Sequence, residues 1–149
     1  MQKELIAYIK TTDTCQLNCD HCYTNGSNGK KIDFNVAKSI NFFHRLHKIN
    51  PGIELGHFSL HGGEPLVCPT EKIFEFWNGV KDLWPSLWWS MQTNLTYKLT
   101  EDKVRVMTDI CDKSWGTSWD LGIRWSNPKQ ELLWEDNIKT LVSDNHDLT

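Results

Sequence analysis

Short apolar runs alternate with amphipathic stretches along this chain, and the alternation occurs four times. Leu5-Ile6-Ala7-Tyr8-Ile9 predicts a first strand. The helix after it begins near Asp33, sets Val36, Ile40, Phe43 and Leu46 on one face and stops at Asn50-Pro51-Gly52. His57-Phe58-Ser59-Leu60 predicts a second strand, after which Pro69-Thr70 opens a helix whose Ile73, Phe76, Trp77, Val80, Leu83 and Trp84 recur at helical spacing up to Pro85. Leu87-Trp88-Trp89-Ser90-Met91 predicts the third strand. Thr100 caps the next helix, with Leu99 and Val104 placed as a hydrophobic staple and Met107 and Cys111 continuing the buried face. Trp115-Gly116-Thr117-Ser118-Trp119 predicts a fourth strand. A last helix starts at Asn127-Pro128, with Gln130 three residues past the cap, and buries Trp134, Ile138 and Leu141. Strands alternating with helices in this way predict an α/β protein with a parallel sheet and about four β-α units.

This scheme places the unusual polar residues consistently. Cys15, Cys19 and Cys22 follow the first strand, His61-Gly62-Gly63-Glu64-Pro65 the second, Gln92-Thr93-Asn94 the third and Asp120 the fourth. Loops at the carboxyl ends of parallel strands converge on ligands, so these residues are expected to meet around one pocket. The Gly26-Ser27-Asn28-Gly29 stretch reads as a flexible connection into the first helix.

Composition narrows the picture. At 149 residues with 39% apolar positions, the chain has room for one domain with a real core. Its 16 basic and 19 acidic residues leave no overall positive field, and the basic clusters Lys30-Lys31 and His44-Arg45 are short, so no nucleic-acid partner is expected. The eight tryptophans fall mostly within periodic apolar patterns, as core or substrate-pocket residues do. Lys3, Glu4 and Lys10 make the first ten residues a strand and not a secretory leader. No stretch reads as a membrane span, and the expected location is cytoplasmic.

The chemistry is concentrated in Cys15, Cys19 and Cys22, spaced Cys-x3-Cys-x2-Cys. Three soft, anionic thiolates in one short loop can hold three corners of an iron-sulfur cube, and the missing fourth ligand leaves one iron open for chemistry. A zinc site built from Cys19, Cys22 and His21 or His57 is the competing reading. It lacks the second close cysteine pair usual for zinc, because Cys68 and Cys111 stand alone. An odd number of cysteines crowded into one loop argues against a disulfide framework. Cys68 reads as a structural thiol and Cys111 as a small buried apolar residue. Glu64 taken by itself could be a general base.

The cysteine triplet followed by Gly62-Gly63-Glu64-Pro65 resembles the radical S-adenosylmethionine (SAM) superfamily. The resemblance runs over essentially the whole chain and implies a partial (β/α) barrel, of whose six units four are present. It implies that Cys15, Cys19 and Cys22 hold a four-iron four-sulfur cluster, and that Gly62, Gly63 and Glu64 bind the SAM amino group. Reductive cleavage of SAM would then give a 5′-deoxyadenosyl radical that abstracts a hydrogen atom from substrate. The glycines are expected to let backbone carbonyls approach the ligand closely. His21 stands where the family has an aromatic residue against adenine, and Tyr23 would add backbone contacts to the same ring. Thr93-Asn94 resembles the Thr-Asn-Gly after strand three of peptide-modifying members, with Leu95 in place of glycine. Ser118-Trp119-Asp120 resembles their Ser-x-Asp-Gly after strand four, with Leu121 interrupting before Gly122. Asn94, Ser118 and Asp120 are accordingly cofactor-binding candidates, and Arg124 is a candidate for the SAM carboxylate. The implied partners are reduced flavodoxin or ferredoxin as electron donor and a peptide, protein or small-molecule substrate.

The alternative from another class is a metal-binding module without radical chemistry, either a zinc protein or a degenerate SAM-binding regulator. Residues 1–149 are expected to form one radical SAM core domain, incomplete at its carboxyl end, because Asn145-His146-Asp147-Leu148-Thr149 looks like a turn entering a further strand. A chain stopped there is expected to be a fragment, or to pair the edge of strand four with a partner or a second copy.

Overall fold

The computed structural model describes residues 3–22, 32–120 and 123–143. Strands β1 (Lys3–Thr12), β2 (Ile53–Gly62), β3 (Ser86–Gln92) and β4 (Trp115–Gly116) pair in parallel, in the order β1-β2-β3-β4. Helices α1 (Val36–Ile49), α2 (Thr70–Val80), α3 (Glu101–Arg105) and α4 (Pro128–Ser143) alternate with them, and a 3-10 turn at Pro65–Val67 separates β2 from α2. The predicted α/β class and the four parallel units are both present.

Register decides which face is buried. Leu5, Gly56 and Leu87 are partners across β1, β2 and β3, as are Ala7, Phe58 and Trp89, and Ile9, Leu60 and Met91. Partners in a parallel ladder point to the same side, and this side packs against the helices. Phe58, Leu60, Ile73, Phe76 and Met91 are fully buried there, with Phe43 wedged between Phe58, Phe76 and Trp84. The opposite face is open: Ile6, Tyr8 and Trp88 are exposed, and His57 stacks flat on Trp88 at 3.5 Å while bonding Ser90 Oγ at 2.8 Å. His57 therefore sits on the open sheet face, outside the lining of the cysteine cavity described below.

Element ends follow local chemistry. Helix α1 starts at Val36 because Asn35 Oδ1 accepts the Lys38 N–H; Asp33, the predicted start, instead pairs with Lys72 at 2.6 Å. Helix α2 ends at Val80 instead of running to Pro85. Even so, a closing turn from Leu83 N–H to Val80 O keeps Trp84 in the core. Thr100 caps α3 as expected, and the helix then widens into a π turn over Val106–Ile110, with Cys111 N–H reaching Val106 O. Asn127 Oδ1 accepts from Lys129 and Gln130 N–H, and Gln130 Oε1 reaches back to Ser126 N–H.

The fourth strand is shorter than predicted. Only Trp115 and Gly116 pair with β3, opposite Met91 and Gln92. Beyond them the side chains turn to α4, where Trp134 Nε1 donates to Thr117 Oγ1 and Trp119 Nε1 to Glu131 Oε1. Cys111 is fully buried, its thiol pushed up to about 12 by burial, which makes it the inert core residue expected. Among the described residues, no helix is long and apolar enough to cross a membrane. The expected fifth-strand entry at 145–149, and Asp144 before it, lie outside the described residues.

Phe58 contacts the rings of Phe43, Phe76, Trp84 and Trp89 from the centre of the sheet. Phe58→Ala is expected to lower the unfolding free energy by about 3–5 kcal/mol, the range for emptying a buried aromatic site, as measured by urea denaturation.

Candidate functional site

Parallel strands bring four loops to one edge, and there they enclose a cavity of about 270 Å³. Cys15, Cys19, His21 and Cys22 line it from the loop after β1. His61, Gly62, Gly63 and Glu64 come from the end of β2, Gln92, Thr93 and Asn94 from the end of β3, and Ser118 and Arg124 from beyond β4. The structure thus brings together ten of the twelve candidates read from the sequence. Asp120 joins through side chains: its Oδ2 accepts from Arg124 Nε at 2.8 Å and lies 3.4 Å from His21 Nε2. Tyr23 lies outside the described residues.

The two glycines have a structural reason for lacking a Cβ. A Cβ on Gly62 would come within 2.3 Å of Thr12 O, and one on Gly63 within 2.4 Å of Thr14 O, both backbone atoms of the cysteine loop's own stem. Gly62 also adopts φ +148°, a region that favours glycine. The crowding sets up two backbone bonds, Gly63 N–H to Thr12 O and Glu64 N–H to Thr14 O, each 2.9 Å. The close approach seen here is to the end of β1 and the stem of its loop.

Glu64 is fully buried and its carboxylate faces the protein. Oε1 accepts from Leu66 N–H at 3.1 Å and Thr93 Oγ1 at 2.9 Å, and Oε2 from Asn94 N–H at 2.7 Å. Since the Thr93 hydroxyl gives its one proton to Glu64, the Tyr97 hydroxyl must donate to Thr93 Oγ1, 2.7 Å away. Burial raises Glu64 to about 7, against the lowering effect of its three hydrogen bonds.

Asn94 occupies the centre of a second network. Its Oδ1 accepts from Gln16 Nε2 at 2.7 Å, Thr96 N–H at 2.9 Å and Thr96 Oγ1 at 2.7 Å. Its Nδ2 donates to Cys15 Sγ at 3.2 Å, alongside Leu17 N–H at 3.3 Å. Burial pushes the Cys15 thiol up, and does the same to Cys19, where the Arg124 charge pulls the other way. Cys19 Sγ approaches Arg124 O at 3.7 Å. Cys68 lies in a different cleft, beside Thr11, Thr12 and Lys72, in keeping with a structural thiol.

Gln16, Thr96 and Asn137 were not singled out from the sequence. Asn137 Nδ2 donates to Leu95 O at 2.8 Å and Tyr97 O at 2.7 Å, so α4 pins the loop that carries Asn94. A signal for Asn137 existed: it falls on the Trp134, Ile138, Leu141 stripe, where a polar residue needs a buried partner. Leu95, where the Thr-Asn-Gly resemblance expects glycine, has a left-handed φ of 54°, and complete burial of its side chain offsets that strain.

The donor set suits the implied groups. Three cavity-lining cysteines can supply three thiolates, and Cys15 already has two N–H groups directed at its sulfur. Among the described residues, no group of three or more His, Cys, Asp or Glu side chains converges as ligands of one metal ion would. A cube presents a different iron to each thiolate, so its ligands stand wider apart than those of a single ion.

Two outcomes are expected for the metal-free protein. Gly63→Ala forces a methyl against backbone and should cost about 1–3 kcal/mol in thermal unfolding. Glu64 holds its proton up to about 7 in the fold against 4.5 as the reference value. Between those values the native state binds more protons than the unfolded one, so unfolding free energy should fall as pH rises through that window and level off above it. A shift of this size is worth about 3 kcal/mol. In Glu64→Gln, which has no such group, the slope of stability between these pH values should be correspondingly flatter.

No protein-family profile matches the chain. Over 116 residues it is 33% identical to the uncharacterized protein MJ0907 of Methanocaldococcus jannaschii, covering 75% of this chain and 37% of that protein. Among solved structures, native anSMEcpe with bound AdoMet and Kp18Cys peptide superposes with a TM-score of 0.74 at 17% identity, over 100% of this chain and 42% of that one. BtrN in complex with AdoMet and 2-DOIA superposes at 0.53 with 18% identity, over 88% of this chain and 56% of that one. The chain therefore spans well under half the length of MJ0907 and of anSMEcpe. Both structural neighbours hold bound AdoMet. In fold, this chain is similar to part of each of these AdoMet-bound structures.

Proposed function

We propose that this chain carries the cluster- and SAM-binding part of a radical SAM enzyme, with Cys15, Cys19 and Cys22 as ligands of a four-iron four-sulfur cluster. The observation that carries the proposal is that three cysteines and the Gly62-Gly63-Glu64 stretch, far apart in sequence, line one cavity at the carboxyl edge of a parallel sheet. Bound there, cluster and SAM supply one-electron reductive cleavage of SAM and hydrogen-atom abstraction from substrate.

The chain's own residues divide the remaining work. Cys15, Cys19 and Cys22 would bind the metal as thiolates, releasing their protons to solvent, a loss that burial of Cys15 and Cys19 makes costly until the metal is present. Gly62, Gly63 and Glu64 form the wall that receives the SAM amino group. His21 would lie against adenine, with its Nε2 3.4 Å from Asp120 Oδ2. Ser118 adds a hydroxyl-bearing residue to the cavity lining. Arg124, paired with Asp120, contributes positive charge beside the SAM carboxylate.

Among the reactions open to such a site, modification of a peptide or protein is our reading, over glycyl-radical enzyme activation or a small-metabolite reaction. Thr93-Asn94 and Ser118-Trp119-Asp120 support it, as does the likeness to anSMEcpe, which carries a bound peptide. Reduced flavodoxin or ferredoxin in the cytoplasm would supply the electron.

Anaerobically reconstituted protein should bind four irons and four sulfides, lose them on replacement of Cys15, Cys19 or Cys22 by alanine, and convert SAM to 5′-deoxyadenosine when reduced. Wild-type iron in the triple variant would sink the ligand assignment. An intact cluster that never cleaves SAM would support the degenerate regulator instead.

A further inference from the structure

Asn94 is 6% exposed, and its side-chain amide has only one orientation compatible with its neighbours. Three donors converge on one terminus, from Gln16 Nε2, Thr96 N–H and Thr96 Oγ1. That terminus must be the oxygen, so the amide nitrogen is left facing Cys15 Sγ at 3.2 Å. The orientation is fixed by partners on two loops, one of them within the cysteine loop itself. A neutral thiol is a weak acceptor, and a sulfur carrying negative charge a strong one. Leu17 N–H is directed at the same sulfur, whereas Cys19 Sγ sits against the carbonyl oxygen of Arg124. Charge on sulfur is thus favoured at Cys15 by two fixed N–H donors, whereas at Cys19 it is favoured by the Arg124 charge and not by the Arg124 carbonyl.

From this asymmetry, and resting on the function proposed above, we propose that Asn94 is a positioning residue that raises the reduction potential of the cluster through its hydrogen bond to Cys15. Reduction adds one electron and hence negative charge, part of which falls on the ligating sulfurs; a fixed N–H donor stabilises the reduced form more than the oxidised one. Asn94 would thereby ease acceptance of an electron from a one-electron donor of the flavodoxin or ferredoxin type.

The direction of the effect separates this role from a merely structural one. Removing the donor lowers the potential, while loosening the loop and letting water reach the cluster stabilises added charge and raises it. Two variants are informative. Asn94→Ala removes the whole side chain. Asn94→Asp keeps acceptors for Gln16 and Thr96 and replaces the donor by an oxygen, so it carries the test if the alanine variant fails to fold.

The measurement is a dithionite titration of the reconstituted protein, followed by electron paramagnetic resonance of the reduced cluster, with iron and sulfide determined on the same samples. Both variants should keep wild-type iron and sulfide, and both should show a potential lowered by about 59 mV, a tenfold change in the one-electron equilibrium. An unchanged or raised potential overturns the proposal. So does loss of cluster from both variants, which would make Asn94 a residue needed to assemble the site. If the wild-type protein itself takes up no iron and sulfide, the functional reading fails and this inference with it. A loaded wild type with unshifted variants removes only the role of Asn94.

Discussion

A carboxylate cannot be buried without partners, and Glu64 is buried completely. Its three donors are backbone and side-chain groups at the ends of two different strands, so satisfying one charge fixes how the β2 and β3 loops meet. The same residue's N–H, with that of Gly63, binds the carbonyls of Thr14 and Thr12 and ties the β2 loop to the stem of the cysteine loop. Asn94 then closes a ring. Its backbone N–H holds Glu64 while its side chain holds Cys15 and Gln16, within the loop whose stem Gly63 and Glu64 bind. Three loops are linked pairwise, and displacing any one leaves unpaired polar groups in the other two.

This circuit explains why the cavity wall is preformed among the described residues. A short loop carrying three thiols has little apolar surface with which to order itself. It is ordered from outside, by backbone bonds at Thr12 and Thr14 and side-chain bonds at Cys15 and Gln16. Leu17, 2% exposed, adds the apolar contribution, worth about 1.5–3 kcal/mol if fully removed from water. From the far side, α4 supports the arrangement by committing Asn137 to the carbonyls of Leu95 and Tyr97.

Much of the architecture was legible because it rests on period. The apolar positions of β1, β2 and β3 and the helical stripe of α2 follow from spacing alone, and caps at Thr100 and Asn127 follow from side-chain chemistry. Gathering the cysteines, the glycines and Asn94 at one edge needed only strand direction. What could not be read was geometry within loops. That Glu64 turns inward depends on Thr93 and Asn94, some thirty residues away, and no local pattern encodes such a meeting. The fourth strand was overextended because Thr117 and Trp119 have strand-like propensity, while their side-chain partners on α4 lie beyond the reach of a local reading.

The site that results has two unlike sides. Around Leu17, Glu64, Thr93 and Asn94 it is dry, with half-buried Cys15 at its margin, and polar groups there are satisfied by fixed protein donors. Around Cys19, His21, Asp120 and Arg124 it is more open, and charge is balanced by side chains pairing with one another. A fixed dipole in a dry setting acts at full strength on a charge that changes nearby, whereas an exposed ion pair is screened and adjusts. Electrostatic control of the thiolates is therefore expected to reside with the buried amides at Cys15. The Asp120–Arg124 pair, closer to solvent, is better suited to receiving and orienting a ligand whose own charges must enter and leave.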